Sequence, residues 1–256
     1  MFDTHAHIHD AAFEADRDAV IRRAKAAGIE RIVTVGCDVD DSRRAIVDAQ
    51  RYGISAAVGV HPHEAKGAPE DVAVLLSAML ARPPVVAIGE TGLDFYYDHS
   101  PRDAQERLLR AQIRIARERD FPVIFHVRDA HERMLEILRE EFSPEMHGVV
   151  HCFTGNAEQA RAYTGEFGLL LGIGGIVTFK NAAALCEAVR AVGLDALLLE
   201  TDCPYLAPVP MRGKRNEPAF MTYTAEHLCA ILGVARADLI AATTRNAQRL
   251  FPQTEA

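Results

Sequence analysis

The sequence predicts an α/β fold, a single (β/α)8 TIM barrel over residues 1–256. Two observations predict it. Eight short, apolar, β-branched runs recur along the chain, and a helical pattern follows each of them. The run ends lie 23 to 36 residues apart, as expected of a βα unit. Eight such units fill about 250 residues, the usual length of this barrel. A doubly wound open sheet is the competing architecture. The count of eight and the chain length together favour the barrel. No linker, low-complexity stretch or domain boundary interrupts the series.

The elements follow in order. Strands are expected over 1–7, 31–36, 55–61, 85–90, 122–126, 148–153, 169–175 and 197–202. Most are continuous apolar runs rather than alternating ones, which suits parallel strands buried on both faces. Helical patterns cover roughly 15–27, 40–52, 69–81, 130–141, 156–167 and 181–192, and two more near 220–232 and 236–250 close the chain. The clearest helix follows Ser100-Pro101, read as a Ser N-cap with Pro at the first helical position. Leu109, Ile113 and Ala116 share one face of it, and it ends before Pro122.

Composition narrows the class. Half the residues are hydrophobic, 49%, and 25% are charged, as in an ordinary globular protein. The longest apolar stretch, 168–175, is too short and too Gly-broken to span a bilayer. Met1 leads straight into Phe-Asp-Thr-His with neither a basic nor an apolar leader, so no signal peptide and no membrane association are expected. The 5 cysteines form no CxxC pair. That argues against a disulfide framework or a thiolate zinc cluster and fits a reduced cytoplasm. The net charge of -8 opposes a broad grip on long nucleic acid. It leaves room for a site where bound cations reverse the local field.

In a barrel of this kind the chemistry stands at the C-terminal ends of the strands. The polar residues there are His5 and His7 on strand one and His61-Pro62-His63 on strand three. Strand four ends in Glu90, followed by Thr91-Gly92-Leu93-Asp94. His126 ends strand five, His151 strand six and Asp202 strand eight. With His9, seven of the 11 histidines lie on this rim or just past it. His5 and His7 are two apart, so they share a face of the strand and can hold one cation. His126 and His151 come from adjacent strands and can reach a second. Glu90 can bridge the two with its two oxygens, and Asp202 can ligate the first or take a proton from an activated water. Imidazole and carboxylate without thiolate suit two divalent metal ions, Zn2+, Mn2+ or Fe2+, with Mg2+ also open. Singly, each motif has a plainer reading. HxH can be mere alternation along a strand, a strand-end carboxylate can cap the next helix, and a lone His can be a satisfied core residue. His9 shares the alternation but falls past the rim, and no ligand role is expected for it.

A barrel with HxH on its first strand resembles the amidohydrolases. Many of those bridge their metals with a carboxylated lysine on strand four or five. This chain has only Lys25, Lys66, Lys180 and Lys214, none at those strand ends, so Glu90 is expected in the bridging place. Seven motifs taken in register are more specific: FDTHAHIHD from residue 2, GVHPHEA (59–65), IGETGLDFY (88–96), PVIFHVRDA (122–130), HCFTG (151–155), ETDCPYLAP (200–208) and RGKRNEP (212–218). Together they resemble the TatD family of metal-dependent DNases from residue 2 to about 251. The resemblance implies a barrel, two divalent cations and phosphodiester hydrolysis on DNA, often from the 3′ end. It implies His5, His7, Glu90 and Asp202 around one cation, and Glu90, His126 and His151 around the other. Asp202 and Glu90 are then the catalytic carboxylates, with Asp202 as the base for the attacking water.

Substrate contacts are expected from His63, Arg128, Arg212, Asn216 and Tyr205. The loop 212–218 is the densest basic stretch in the chain and either grips phosphate or is a solvated loop whose Arg residues pair with helix-borne Glu. In the latter case Asn216 and Glu217 hold it to the barrel. Phe95, Tyr96, Tyr97, Phe153 and Tyr205 near the rim are expected to stack on a terminal base or to pack beneath their loops. The expected partners are DNA ends or short oligonucleotides, RNA included, acted on by a monomer. Two other readings are a metal-dependent amidohydrolase or lactonase acting on a cyclic amide or ester, and a catalytically silent binding barrel.

Overall fold

The computed structural model describes residues 1–252. Eight strands run parallel in one sheet, in chain order: β1 (Phe2–Ala6), β2 (Arg31–Val35), β3 (Ser55–Val58), β4 (Val85–Asp94), β5 (Val123–Arg128), β6 (Gly148–Val150), β7 (Leu170–Ile173) and β8 (Leu197–Leu199). Helices α1 (Arg17–Ala26), α2 (Val39–Tyr52), α3 (Val72–Leu80), α4 (Arg102–Arg119), α5 (His131–Glu141), α6 (Ala157–Glu166) and α7 (Ala183–Val192) alternate with them, and α8 (Met221–Leu232) and α9 (Arg236–Leu250) follow the last. The ring closes just after β8. Ala6 bridges Cys203, the Asp202 N–H donates to the His5 carbonyl at 2.8 Å, and the His7 N–H donates to the Cys203 carbonyl at 2.8 Å. The buried Asp3 carboxylate supports the same seam by accepting from Thr201 N–H at 3.0 Å and Thr201 Oγ1 at 2.6 Å. The predicted (β/α)8 barrel is therefore the observed fold.

The barrel interior is filled by Val33, Val86, Ile124, Val149, Leu170 and Leu198. Its N-terminal end is plugged by α9, whose Leu250 and the following Phe251 join that cluster. Phe251 packs against Phe2 with ring centroids 6.1 Å apart. A fully buried Phe contributes roughly 1.5–3 kcal/mol, so the last helix is part of the core. With one end of the barrel shut by apolar side chains, polar groups converge at the other.

Local signals set the helix ends. Asp38 caps α2 by accepting from Asp41 N–H, and Gly53 ends it in a left-handed conformation. Asn156 and Gln159 form a capping box on α6. Two expectations shift. Ser100 is not the cap of α4, which starts at Arg102 after Pro101. Its hydroxyl instead donates to the His63 carbonyl at 2.6 Å and accepts from Lys66 N–H at 3.0 Å, tying down the loop after β3. Strand β4 runs on to Asp94 rather than stopping at Glu90, because Gly92 continues the ladder where a side chain would not fit. A Cβ there would lie 1.9 Å from the His126 carbonyl oxygen.

The outer shell holds a half-buried titratable group. His131, packed on Phe153 and Tyr163, has its Nδ1 3.1 Å from the Tyr163 hydroxyl. Burial pushes its pKa down to about 4, from 6.5. The unfolded chain therefore binds the extra proton first. Stability is fully present above the unfolded value and is lost as pH falls from about 6.5 towards 4, by at most about 3 kcal/mol. Melting temperature across that window should fall less in His131→Phe than in the wild type. Parallel pH curves for the two would remove His131 as the cause.

Candidate metal centre

The open end of the barrel carries a cavity of about 500 Å3 lined by His7, His61, Glu90, His126, His151 and Asp202 among others. The strands place them. His5 lies inside β1, Glu90 inside β4 and His126 inside β5, whereas His7, His61, His151 and Asp202 follow the ends of β1, β3, β6 and β8. Glu90 is the hub. Its Oε2 lies 3.3 Å from His5 Nε2, and its Oε1 lies 2.8 Å from His126 Nδ1, 2.6 Å from His151 Nε2 and 3.5 Å from His61 Nε2. Asp202 Oδ1 lies 3.4 Å from His7 Nε2 and 3.8 Å from His5 Nε2. Four histidines thus converge on Glu90, three of them predicted ligands and His61 an addition, while His7 joins through Asp202, which also faces His5.

Charge in this cluster follows from packing and neighbours. Burial opposes ionisation of Glu90, yet His151, His61, His5 and His126 hold its carboxyl well below the usual carboxylate range. Burial opposes it in Asp202 too, and His7 with His151 and His5 lowers that carboxyl as well. Burial, with His151 beside it, lowers the pKa of His5. The same burial, offset only in part by Glu90, lowers His61 well below its ordinary value. His7, His126 and His151 move the other way: burial opposes their protonation, but Cys37 and Asp202 beside His7, Asp94 and Glu90 beside His126, and Glu90 and Glu200 beside His151 raise them. The cluster thus sets anionic carboxylates among rings that attract positive charge, and a bound cation would take the place of protons there.

The fit to a metal rests on orphaned atoms. Both ring nitrogens of His5 are buried without a hydrogen-bond partner among the described residues, as is His151 Nδ1. A buried nitrogen without a partner is costly, and a cation between His5 Nε2 and the facing carboxylates satisfies one of them. Three overlapping groups have donor atoms close enough to hold an ion: His5, His7 and Glu90; His5, His151 and Asp202; and His61, Glu90 and His126. Outward partners orient two of the rings. His7 Nδ1 lies 2.7 Å from the Val35 carbonyl, and His126 Nε2 lies 3.1 Å from Asp94 Oδ2.

The expected substrate residues divide. His63, Arg128 and Tyr205 line the cavity. His63 Nε2 lies 2.8 Å from Asp94 Oδ2, so Asp94 joins His63 to His126. The Arg128 guanidinium lies over Tyr96 at 4.4 Å and Tyr97 at 5.1 Å, and both tyrosines are exposed at the rim, as is Tyr205. Arg212 and Asn216 are not brought to the cavity. Arg212 stacks on Phe179 at 3.9 Å. Asn216 is buried and spends its amide on the Thr201 and Tyr205 carbonyls at 2.8 and 2.7 Å. Arg215 pairs with Asp16 and Glu217 with Arg23. The basic loop is therefore fastened to the barrel by its own charges, the plainer of its two readings. Phe153 is buried beneath its loop. His9, between Thr34 Oγ1 at 2.8 Å and Asp41 Oδ2 at 2.9 Å, ties the first loop to its neighbours and stays out of the cluster.

Sequence reasoning gave no role to His61, Asp94, Cys37 or Glu200. Cys37 and His61 lie at the rim beside the ligands, with Cys37 Sγ 3.9 Å from His7 Nδ1. Glu200 is fully buried next to His151. The signal for Glu200 was present: it stands two residues before Asp202, and in extended chain such residues share a face.

The barrel and its clustered ligands define a metal-dependent hydrolase. A family model described as TatD related DNase matches residues 2–252. The chain is 44% identical over 252 residues to "Uncharacterized metal-dependent hydrolase YabD" of Bacillus subtilis, covering 98% of each. It is 38% identical over 257 residues to "3'-5' ssDNA/RNA exonuclease TatD" of Cronobacter sakazakii, covering 98% of this chain and 97% of that one. Among solved structures it is similar to YJJV, a TatD homolog from Escherichia coli, with a TM-score of 0.93, 30% identity and coverage of 99% and 98%. The chain belongs to the TatD related DNase family.

Proposed function

We propose that this protein is a two-metal phosphodiesterase that shortens single-stranded DNA, or RNA, from the 3′ end. The observation that carries the reading is the split of the Glu90 carboxylate, with Oε2 turned to His5 and Oε1 to His126 and His151. One carboxylate serves two ligand groups. His5, His7, Glu90 and Asp202 would hold one cation, and Glu90, His126 and His151 the other. Divalent cations there supply positive charge for the phosphate and make a water easier to deprotonate. Asp202 accepts the proton of the attacking water. Arg128 and His63 at the mouth meet charge that develops on the phosphate. The exposed Tyr96, Tyr97 and Tyr205 offer faces for a terminal base. The name of the Cronobacter relative supports the substrate and the polarity. Every proposed ligand comes from one chain, so a monomer suffices. The free cysteines suit the reducing cytoplasm.

One observation favours a second reading, a metal-dependent amidohydrolase or lactonase. With the 212–218 loop turned away, the cavity lining includes only Arg128 among basic Lys and Arg side chains. A single arginine suits a substrate of low charge as well as one phosphodiester.

A single digestion separates the two readings. Single-stranded DNA labelled at its 5′ end should shorten progressively when incubated with the protein and Mn2+. EDTA should stop the shortening, and excess Mn2+ or Mg2+ should restore it. Turnover that survives EDTA would sink the metal mechanism. Intact DNA together with turnover of small lactones or cyclic amides would transfer the assignment to the second reading.

A further inference from the structure

We propose that Glu200 is a positioning residue, holding the His151 ring so that Nε2 faces the metal centre. The inference rests on the metal-centre reading of His151 and gives a role to a group which that reading leaves unused. Glu200 is fully buried, and its Oε2 has no hydrogen-bond partner among the described residues. Its Oε1 accepts from the Cys152 N–H at 2.5 Å and stands 3.6 Å from His151 Nδ1. That nitrogen is itself buried and unpartnered. A buried ring nitrogen without a partner therefore faces the Oε1 of a buried carboxylate whose other oxygen is also unpartnered, on the side of the ring opposite Glu90.

Room for this carboxylate is built into the neighbouring strand. A Cβ at Gly172 would lie 2.1 Å from Glu200 Oε2. Burying a carboxylate in an apolar barrel is costly unless it is hydrogen-bonded or paired. The partner that the geometry offers is the imidazole beside it. A carboxylate behind a ligating histidine fixes the ring's tautomer and orientation and makes the ligand nitrogen a better donor. His7 and His126 have outward partners already, in the Val35 carbonyl and Asp94. Glu200 supplies the missing one for His151. With Nε2 given to a cation, Nδ1 would carry the ring proton and donate a hydrogen bond to Glu200. No bond is made or broken elsewhere.

The test uses the full chain loaded with Zn2+, 15N-labelled at histidine. The wild type should show a slowly exchanging, hydrogen-bonded Nδ1–H resonance that His151→Gln removes. Glu200→Gln keeps an acceptor for Cys152 but offers His151 only a neutral amide oxygen in place of the carboxylate. That resonance should shift upfield and exchange faster, and Zn2+ affinity by chelator competition should weaken by about 10–100-fold. The melting temperature of the metal-free variant reports on folding alone. Unchanged affinity and an unchanged resonance in a folded Glu200→Gln would overturn the proposal. Should that variant not fold, the wild type still decides, since Zn2+ uptake without a protected His151 Nδ1–H also overturns it. If the wild type takes up no Zn2+, the metal-centre reading itself falls and this proposal with it.

Discussion

Glu90→Ala is expected to lower metal-dependent hydrolysis by at least about 10^3-fold, which is ~4 kcal/mol of transition-state stabilisation. The size follows from how many contacts one side chain carries. Glu90 faces His5, His61, His126 and His151 within 3.5 Å, so its removal dismantles both ligand groups at once. The remaining imidazoles would crowd each other with no anion between them. Without metal, any stability change should be a loss no larger than a few kcal/mol, because removing one partner of a buried ion-pair set leaves His126 and His151 uncompensated until they shed their protons. Glu90→Gln separates shape from charge: it keeps the volume and one acceptor but cannot bridge two cations as a carboxylate does. Its Mn2+ affinity should fall nearly as far as that of the alanine variant. A Gln variant that retains wild-type turnover at saturating Mn2+ would remove Glu90 from the centre of the mechanism.

The barrel was readable in the sequence because most of its parallel strands are buried on both faces and show as largely apolar runs. Runs such as Val123–Arg128 and Leu170–Ile173 leave little choice of element. The ligands were readable because the barrel rule assigns them to strand ends, and His5, Glu90, His126, His151 and Asp202 stand there. What was not readable depends on packing between distant segments. The extension of β4 past Glu90 depends on the close approach of the β5 backbone to Gly92, and a glycine in a run ordinarily marks its end. The role of Asp94 depends on that extension, since only then do His63 and His126 flank it. The basic loop misled for a different reason. Its charge density is local, but Asp16, which pairs with Arg215, and Arg23, which pairs with Glu217, come from the far end of the chain.

Asp202→Asn is expected to lower kcat by about 10^2–10^4-fold at saturating Mn2+, the range for removing a positioned general base. Asparagine is the informative replacement because of the backbone. Asp202 has a φ of 56°, in the left-handed region. Asn and Asp tolerate that region, whereas other side chains are strained there. The residue also carries part of the barrel seam through its N–H bond to the His5 carbonyl. Asp202→Asn should therefore fold with nearly wild-type stability, while Asp202→Ala should lose roughly 1 kcal/mol more to strain. Both should be equally poor enzymes. The left-handed conformation turns the side chain back over the mouth of β1, where Oδ1 reaches the Nε2 atoms of His5 and His7. An amide in that position cannot accept a proton from water, and it offers a weaker ligand to the cation shared with those rings. Kinetics at several Mn2+ concentrations divide the two losses: a higher metal requirement reports the ligand, and a kcat that stays low at saturation reports the base. If saturating Mn2+ restored full kcat to Asp202→Asn, Asp202 would be a ligand alone and the proton acceptor would have to be sought among the other rim groups, with His63 the first to examine.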